Sequence, residues 1–358
     1  MCKIIPLLIH LITLWNIVGG NFHIFRPFGV LLPLCCSHKC PVGGIITLPE
    51  ESSMADVNLV GMTTETRNAA SADLDIMTSL EIVTLMNSED AKICSAVKTE
   101  LPKIADAVDL CVSSLEEGGR IIYIGAGTSG RLGAIDAAEC PPTFGVAPGT
   151  VIGLIAGGQQ IDISLSADRE DSKECGKEDL QSVNLCSRDT VIGVAASGRT
   201  PYVIGGLEYA KSLGCKTASI ACNRDSAIGK IADVAIEAIV GPEVLTGSTR
   251  LRAGTAQKMV LNMISTASMV RTGKCYKNLM VDVVQTNAKL ESRAQGILME
   301  ATGLSREEAK DVLKKANGSV KRAVVMTLAA CSAEEADRRL ESSKGHVRDA
   351  VSRKDGTR

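Results

Sequence analysis

Short apolar runs alternating with helical stretches limit what this chain can fold into more than any other feature. Arg120–Ile124, Val151–Ala156, Thr190–Ala195, Lys216–Ala221 and Val234–Val240 are each too short for a stable helix and rich in β-branched residues. Between and after them come helical patterns at Arg131–Ala138, at Pro201–Leu213, and from about Arg250 to Val270. That alternation predicts βαβ units, hence a doubly wound α/β fold with a parallel sheet flanked by helices. Composition agrees: the chain is 45% hydrophobic but only 3% aromatic, so Ala, Val, Ile and Leu must fill the core, as in strands buried on both faces. Upstream, Leu80 to Glu117 reads as helical, with Asn87-Ser88-Glu89-Asp90 as a start signal and Gly118-Gly119 as a stop. Ligands of such sheets bind beyond the carboxyl ends of the strands, so the loops after strands are where chemistry is expected.

Several function classes drop out early. A formal net charge of −2 gives no electrostatic footprint for nucleic acid or an anionic membrane surface. The four histidines are His10, His23, His38 and His346, so no imidazole is available between residues 39 and 345. Acid–base chemistry in the body of the chain therefore falls to carboxylates, Lys, Tyr, Cys or water. The chain has 13 cysteines, but those from Cys94 onward are scattered among apolar residues with no C-x-x-C pair. They read as reduced core cysteines of a cytoplasmic enzyme, without disulfides or zinc.

Residues 1–20 hold one Lys, an apolar run from Ile4 to Val18 and then Gly19-Gly20, the pattern of a secretory signal and too short to span a membrane comfortably. The competing readings are an organellar leader, or sequence upstream of a true start at Met54. Residues 1–53 are accordingly set aside as an extension; 54–300 form the α/β domain with its N-terminal helices, and 301–358 a small helical domain. That tail repeats itself. Ser305-x-Glu307-Glu308-Ala309, with Leu313, Gly318 and Val320, recurs as Ser332-x-Glu334-Glu335-Ala336, with Leu340, Gly345 and Val347, an offset of 27 (332 − 305). Each copy predicts a helix pair with Gly between the helices. A cap that packs on the domain is the preferred reading, ahead of a partner-binding module resembling a ubiquitin-associated fold.

Five segments could carry chemistry. Gly125-Ala126-Gly127-Thr128-Ser129-Gly130 follows the first strand and opens a helix, which satisfies G-x-G-x-x-G. A dinucleotide is disfavoured because the next strand ends in Gly157-Gly158, with no acid to hold a ribose; a P-loop lacks its Gly-Lys-Ser/Thr. Thr128 and Ser129 beside free backbone N–H groups suit a monophosphate instead. Ala196-Ser197-Gly198-Arg199-Thr200-Pro201 repeats the theme after the third strand. Either loop alone could be ordinary helix capping; two in one sheet point to a phosphosugar pocket. Glu139, before Cys140-Pro141-Pro142, sits near a helix carboxyl end, where the dipole disfavours its charge and suits it to general-acid work; the plain alternative is a solvated helix-end Glu. Asp168-Arg169-Glu170-Asp171 reads by itself as a surface turn. Gly241–Arg250, with Glu243, Ser248 and Thr249 leading into the long helix that carries Lys258, fits a sugar-hydroxyl site or an elaborate cap.

Taken together, IGAGTSGRLGAIDAAECPPTFG (124–145), GLIAGG (153–158), AASGRTPY (195–202), GPEVLTGSTRLRAGTAQK (241–258), TETRN (64–68) and NLMVDVVQTNAKL (278–290) resemble the N-acetylmuramic acid 6-phosphate etherases, which carry a sugar-isomerase (SIS) domain. The resemblance covers about residues 57–330, and ECPPTFG is particular to etherases among SIS proteins. It implies cleavage of the C3 lactyl ether of N-acetylmuramic acid 6-phosphate by elimination and water addition, without metal or cofactor, in a homodimer whose sites lie at the subunit contact. Matched by motif, Glu139 is the acid that protonates departing lactate and then activates water. Glu170 matches the second acid–base carboxylate by spacing, although QQIDISLSADR (159–169) diverges from the family. Thr128, Ser129, Ser197 and Thr200 match the phosphate residues, and Glu243, Ser248 and Thr249 lie near the sugar. A phosphosugar isomerase or a non-catalytic sensor resembling the glucokinase regulatory protein are the alternatives, and a dinucleotide dehydrogenase the least favoured.

Overall fold

A computed structural model describes residues 61–158, 168–285 and 287–352. The extension 1–53 and its signal-like run lie outside these residues, as do residues 159–167 of the divergent stretch 159–169. Three helices lead in, α1 (Ser79–Asp90), α2 (Ile93–Thr99) and α3 (Leu101–Glu116). The body then runs β1 (Ile121–Gly125), α4 (Gly127–Phe144), β2 (Val151–Ile155), α5 (Lys173–Ser182), β3 (Thr190–Val194), α6 (Pro201–Ser212), β4 (Lys216–Ala221), α7 (Ala227–Ile231), β5 (Val234–Glu237) and α8 (Arg252–Arg271). Five further helices follow, α9 (Ala288–Thr302), α10 (Arg306–Lys315), α11 (Val320–Leu328), α12 (Ala333–Ser342) and α13 (Val347–Ser352).

The five strands form one sheet of order β2-β1-β3-β4-β5, every neighbouring pair parallel. The chain leaves β1 toward β2 on one side and leaves β3 toward β4 on the other, so the order reverses between β1 and β3. In open α/β sheets a crevice forms at that switch point. Gly125 pairs with Val194 in register, so β1 and β3 end level and their loops emerge side by side. Alternation sends Ile121, Tyr123, Ile192, Val194 and Ile220 to a core shared with α3 and α8. Ile122, Ile124, Val191 and Ala221 face the core of α5 and α6.

The strand starts are locked as well. Asp189, fully buried just before β3, accepts from the backbone N–H, Nε and Nη2 of Arg120, just before β1, at 2.9, 3.1 and 2.7 Å. It also accepts from Cys186 N–H at 3.0 Å. Burial pushes the Asp189 carboxyl up, but the Arg120 guanidinium and the backbone donors outweigh it and hold the group below the usual carboxylate range.

The helical readings need two corrections. The stretch read as one helical region is three helices, and Asn87–Asp90 ends α1 instead of starting a helix; the start is Thr78, whose hydroxyl caps Glu81 N–H while Glu81 bonds back to Thr78. Likewise α4 does not stop at the proline pair but carries Pro141 and Pro142 in its last turn, closing at Gly145 (φ 61°), whose N–H donates to Pro141 O at 2.9 Å. The tail repeat folds as two helix pairs, α10–α11 and α12–α13, with Gly318 and Gly345 left-handed between them. Their apolar cluster also takes in Val281, Val283 and α9, so the tail packs on a segment that begins before residue 301. Among the described residues no helix is long and apolar enough to cross a membrane.

Asp189→Asn should lower the melting temperature at neutral pH, because Arg120 loses its buried counter-charge. The folded carboxyl titrates below its unfolded value, so its contribution is present above about pH 4 and lost as pH falls further. The melting gap between wild type and variant should therefore shrink on acidification.

Candidate active site

The loop after β1 turns at once into α4 because Gly125 and Gly130 touch. A Cβ on Gly130 would lie 2.5 Å from the Gly125 carbonyl oxygen, a contact no side chain can make. Thr128 and Ser129 stand in the first turn of α4, where backbone N–H groups lack helical partners and favour an anion. Thr128 is half-buried. Ser129 is buried, and its hydroxyl donates to Gln257 Oε1 of α8 at 2.9 Å.

The loop after β3 matches it. Gly198 is left-handed (φ 72°), Thr200 is the N-cap of α6, and Pro201 opens that helix. Ser197 Oγ accepts from Arg199 N–H at 3.3 Å. Asn223, after β4, holds this loop to the N-terminal segment: its Nδ2 donates to Ala196 O (3.2 Å), Ser197 O (3.3 Å) and Thr64 Oγ1 (3.0 Å), while Oδ1 accepts from Thr64 N–H (3.3 Å).

The segment after β5 closes the third side. Glu243 is fully buried, and its two carboxylate oxygens accept from Arg252 N–H and Ala253 N–H, each at 2.9 Å. Both oxygens are thus engaged in capping α8, the cap that the sequence offered as the alternative to a sugar contact. Ser248 and Thr249 are half-buried in the turn before α8, with Thr249 O accepting from Gly254 N–H at 2.9 Å. A Cβ on Gly254 would meet Thr128 Cγ2 at 3.6 Å, and one on Gly247 would meet Glu65 Oε2 at 3.5 Å. The structure therefore gathers Thr128, Ser129, Ser197, Thr200 and the 241–250 loop at one end of the sheet, with Thr64 and Glu65 beside them.

The two carboxylates are placed differently. Glu139 is exposed on α4 while its neighbour Cys140 is buried, its thiol pushed up to about 12 by burial and the nearby Asp136 and Glu139 charges. Helix α4 starts at the strand ends and runs back along the sheet, so Glu139 lies about 18 Å along the axis from Gly127 at 1.5 Å per residue. The sequence reading placed Glu139 near the carboxyl end of the helix that the first loop opens, and α4 carries it there, away from that loop within its own chain. Glu170 is half-buried, and burial, then the neighbouring Asp171 charge, raises its carboxyl above the usual range. Arg169 donates to Asp179 Oδ1 (2.8 Å) and Tyr202 OH to Asp179 Oδ2 (2.6 Å), which ties this turn to the first turn of α6.

Residues to which the sequence reading gave no role of their own complete the frame. Arg252 and Glu89, both buried, pair at 3.0 Å, and Asn68 Nδ2 also donates to Glu89 Oε2 at 3.1 Å. Arg252 Nη1 further donates to Pro242 O at 2.9 Å, so one guanidinium joins α1 to the 241–250 loop. Under α4, Asp136 accepts from Tyr123 OH (3.1 Å), Lys258 Nζ (3.3 Å) and Ser265 Oγ (3.2 Å). Asn223, Gln257 and Arg252 were given no role because a single buried polar residue leaves no periodicity, although Arg252 and Gln257 lie in the 241–258 stretch.

A parallel sheet of this order, flanked by helices, is a doubly wound α/β fold that fits the SIS class. Two profile matches agree: the glucokinase regulatory protein N-terminal SIS domain over residues 103–211 and the SIS domain over 177–267. The chain is 56% identical over 290 residues to the N-acetylmuramic acid 6-phosphate etherase of Exiguobacterium sp., covering 81% of this chain and 99% of that protein. It is 51% identical to that of Clostridium beijerinckii (83% and 98% covered) and 52% identical to that of Mycolicibacterium smegmatis (82% and 99%). Among solved structures, a phosphoheptose isomerase from Francisella tularensis is 16% identical, with a TM-score of 0.45 over 54% of this chain and 98% of that one. This chain belongs to the N-acetylmuramic acid 6-phosphate etherase family.

Glu89→Ala would leave the Arg252 guanidinium buried without its carboxylate. Urea denaturation should register a loss of about 3–5 kcal/mol, the usual cost of breaking a buried pair on one side.

Proposed function

We propose that this chain is a carbon–oxygen lyase that cleaves the C3 lactyl ether of N-acetylmuramic acid 6-phosphate, giving N-acetylglucosamine 6-phosphate and D-lactate. The observation that carries the reading is the 56% identity along almost the whole length of an etherase, in a chain that retains Glu139 in ECPPTFG and two anion-favouring helix starts at one sheet end. The phosphate rests on the N-terminal turns of α4 and α6, beside Thr128, Ser129, Ser197 and Thr200. Ser248 and Thr249 face the sugar, and Glu243 acts by holding their loop on α8. The open-chain aldehyde acidifies the proton at C2, and Glu170, in the turn before α5, removes it. A raised pKa strengthens a carboxylate for that task. Glu139 gives a proton to the ether oxygen as lactate leaves, and the resulting carboxylate activates the water that adds at C3 while Glu170 returns its proton to C2.

Glu139 reaches this site from a second copy of the chain. Its position on α4, far along the helix from its own phosphate loop, supports a homodimer in which each site takes Glu170 from one chain and Glu139 from the other. A cytoplasmic setting, with the cysteines reduced, belongs to the same reading, as does the division into a catalytic domain (54–300) and a helical tail (301–358).

Lactate release should be abolished in Glu139→Ala and in Glu170→Gln while both still bind phosphosugar. Mixing the two inactive chains should restore up to about a quarter of wild-type activity, since half of randomly reassorted dimers hold one intact site. No recovery would place Glu139 and Glu170 of each site on one chain. Binding without lactate release by wild type would overturn the lyase reading in favour of a sensor. Asp171→Asn removes the like charge beside Glu170 and should move the acid limb of kcat/KM to lower pH, by under about one unit. An unmoved limb would mean that Glu170 is not the titrating base.

A further inference from the structure

We infer that Gln257 is a positioning residue for the phosphate-binding serine, and that ligand binding reverses the direction of the Ser129–Gln257 hydrogen bond. This rests on the reading of the β1–α4 loop as the phosphate site. Ser129 does not turn its hydroxyl toward that loop; it donates inward to Gln257 Oε1 at 2.9 Å. Gln257 is 1% exposed, and its Nε2 is buried without a hydrogen-bond partner among the described residues. An orphaned buried N–H is rarer and costlier than an under-satisfied carbonyl.

The two facts fit together. A serine hydroxyl has one proton, which can go to Gln257 or to a phosphate oxygen but not to both. A phosphate dianion offers only acceptors, so Ser129 can bond it through a donated proton only after releasing Gln257. Rotating the Gln257 amide by half a turn about its last torsion brings Nε2 to Ser129, where it donates to Oγ while the hydroxyl proton turns to the phosphate. That rotation also gives the orphaned N–H its partner and leaves the cheaper group, the carbonyl, under-satisfied. The bond is then a relay: amide to hydroxyl to phosphate, each donor polarising the next. Position suits the role, because Gln257 lies three residues beyond Gly254, which packs against Thr128, so this face of α8 backs the whole first turn of α4. A glutamine can be either partner; a glutamate, while ionised, is acceptor-only and would hold the Ser129 proton inward.

The test measures kcat and KM for N-acetylmuramic acid 6-phosphate with the full chain carrying Ser129→Ala, Gln257→Glu, Gln257→Leu, and each Gln257 variant combined with Ser129→Ala. Ser129→Ala should raise KM roughly tenfold, as loss of one charge-assisted hydrogen bond does. Gln257→Glu should raise KM by at least as much with kcat nearly kept. Gln257→Leu, which removes the relay donor but leaves the hydroxyl free, should raise it about threefold. In the Ser129→Ala background both Gln257 effects should shrink to under about twofold, a coupling that general loss of packing would not produce. Should Gln257→Glu not fold, Gln257→Leu with and without Ser129→Ala decides alone. The inference is overturned if the Gln257 penalties persist undiminished without Ser129, or fall on kcat instead of KM. If Ser129→Ala itself leaves KM unchanged, the phosphate assignment of the loop fails, and this inference with it.

Discussion

The close approach of α4 to the end of β1 is the constraint on which the site depends. A side chain at Gly130 would collide with the Gly125 carbonyl, and one at Gly125 would meet Gly130 N at 2.8 Å and Val194 O at 2.9 Å. Only because both positions are glycine can the helix start directly at the strand end, with its first N–H groups aimed over the sheet edge. The parallel register sets β1 and β3 level, so the second helix start, after Gly198, lies beside the first. Two weak positive ends then act on one region of space, which neither loop achieves alone.

The remaining walls are held by buried polar contacts, and their magnitudes decide which of them matter. Exposed pairs such as Lys173–Glu208 contribute little. Arg252–Glu89 and Arg120–Asp189 are different, since each joins segments distant in sequence and several backbone or amide groups depend on the same charge. Asn223 works without charge and ties Thr64 to the loop after β3. The N-terminal segment thus belongs to the site through hydrogen bonds rather than through apolar packing.

How legible these parts were follows from their physics. The strands and the loops after β1 and β3 were readable because apolar runs ending in glycine and polar residues leave a local pattern. The break of one helical region into α1, α2 and α3 was not, because no Gly interrupts the stretch from Leu80 to Glu117. Pro102, in the first turn of α3, was the available signal. The proline pair in α4 pointed to a stop that came one turn later, since the left-handed Gly145 supplies the closing bond there. Glu243 carried the right type for a sugar contact, yet its oxygens cap α8.

By itself the sequence determined the class of sheet, the two anion-favouring loops, the tandem helix pairs of the tail and the dependence on carboxylates in a body without histidine. Those properties are local, fixed by residue type and short-range spacing. Only the tertiary structure decided that the loops after β1 and β3 stand side by side, because strand order is set by packing between distant segments. It also decided that Glu139 is exposed on α4 and that Glu243 is spent capping α8, because burial and side-chain partners depend on which distant segments pack together.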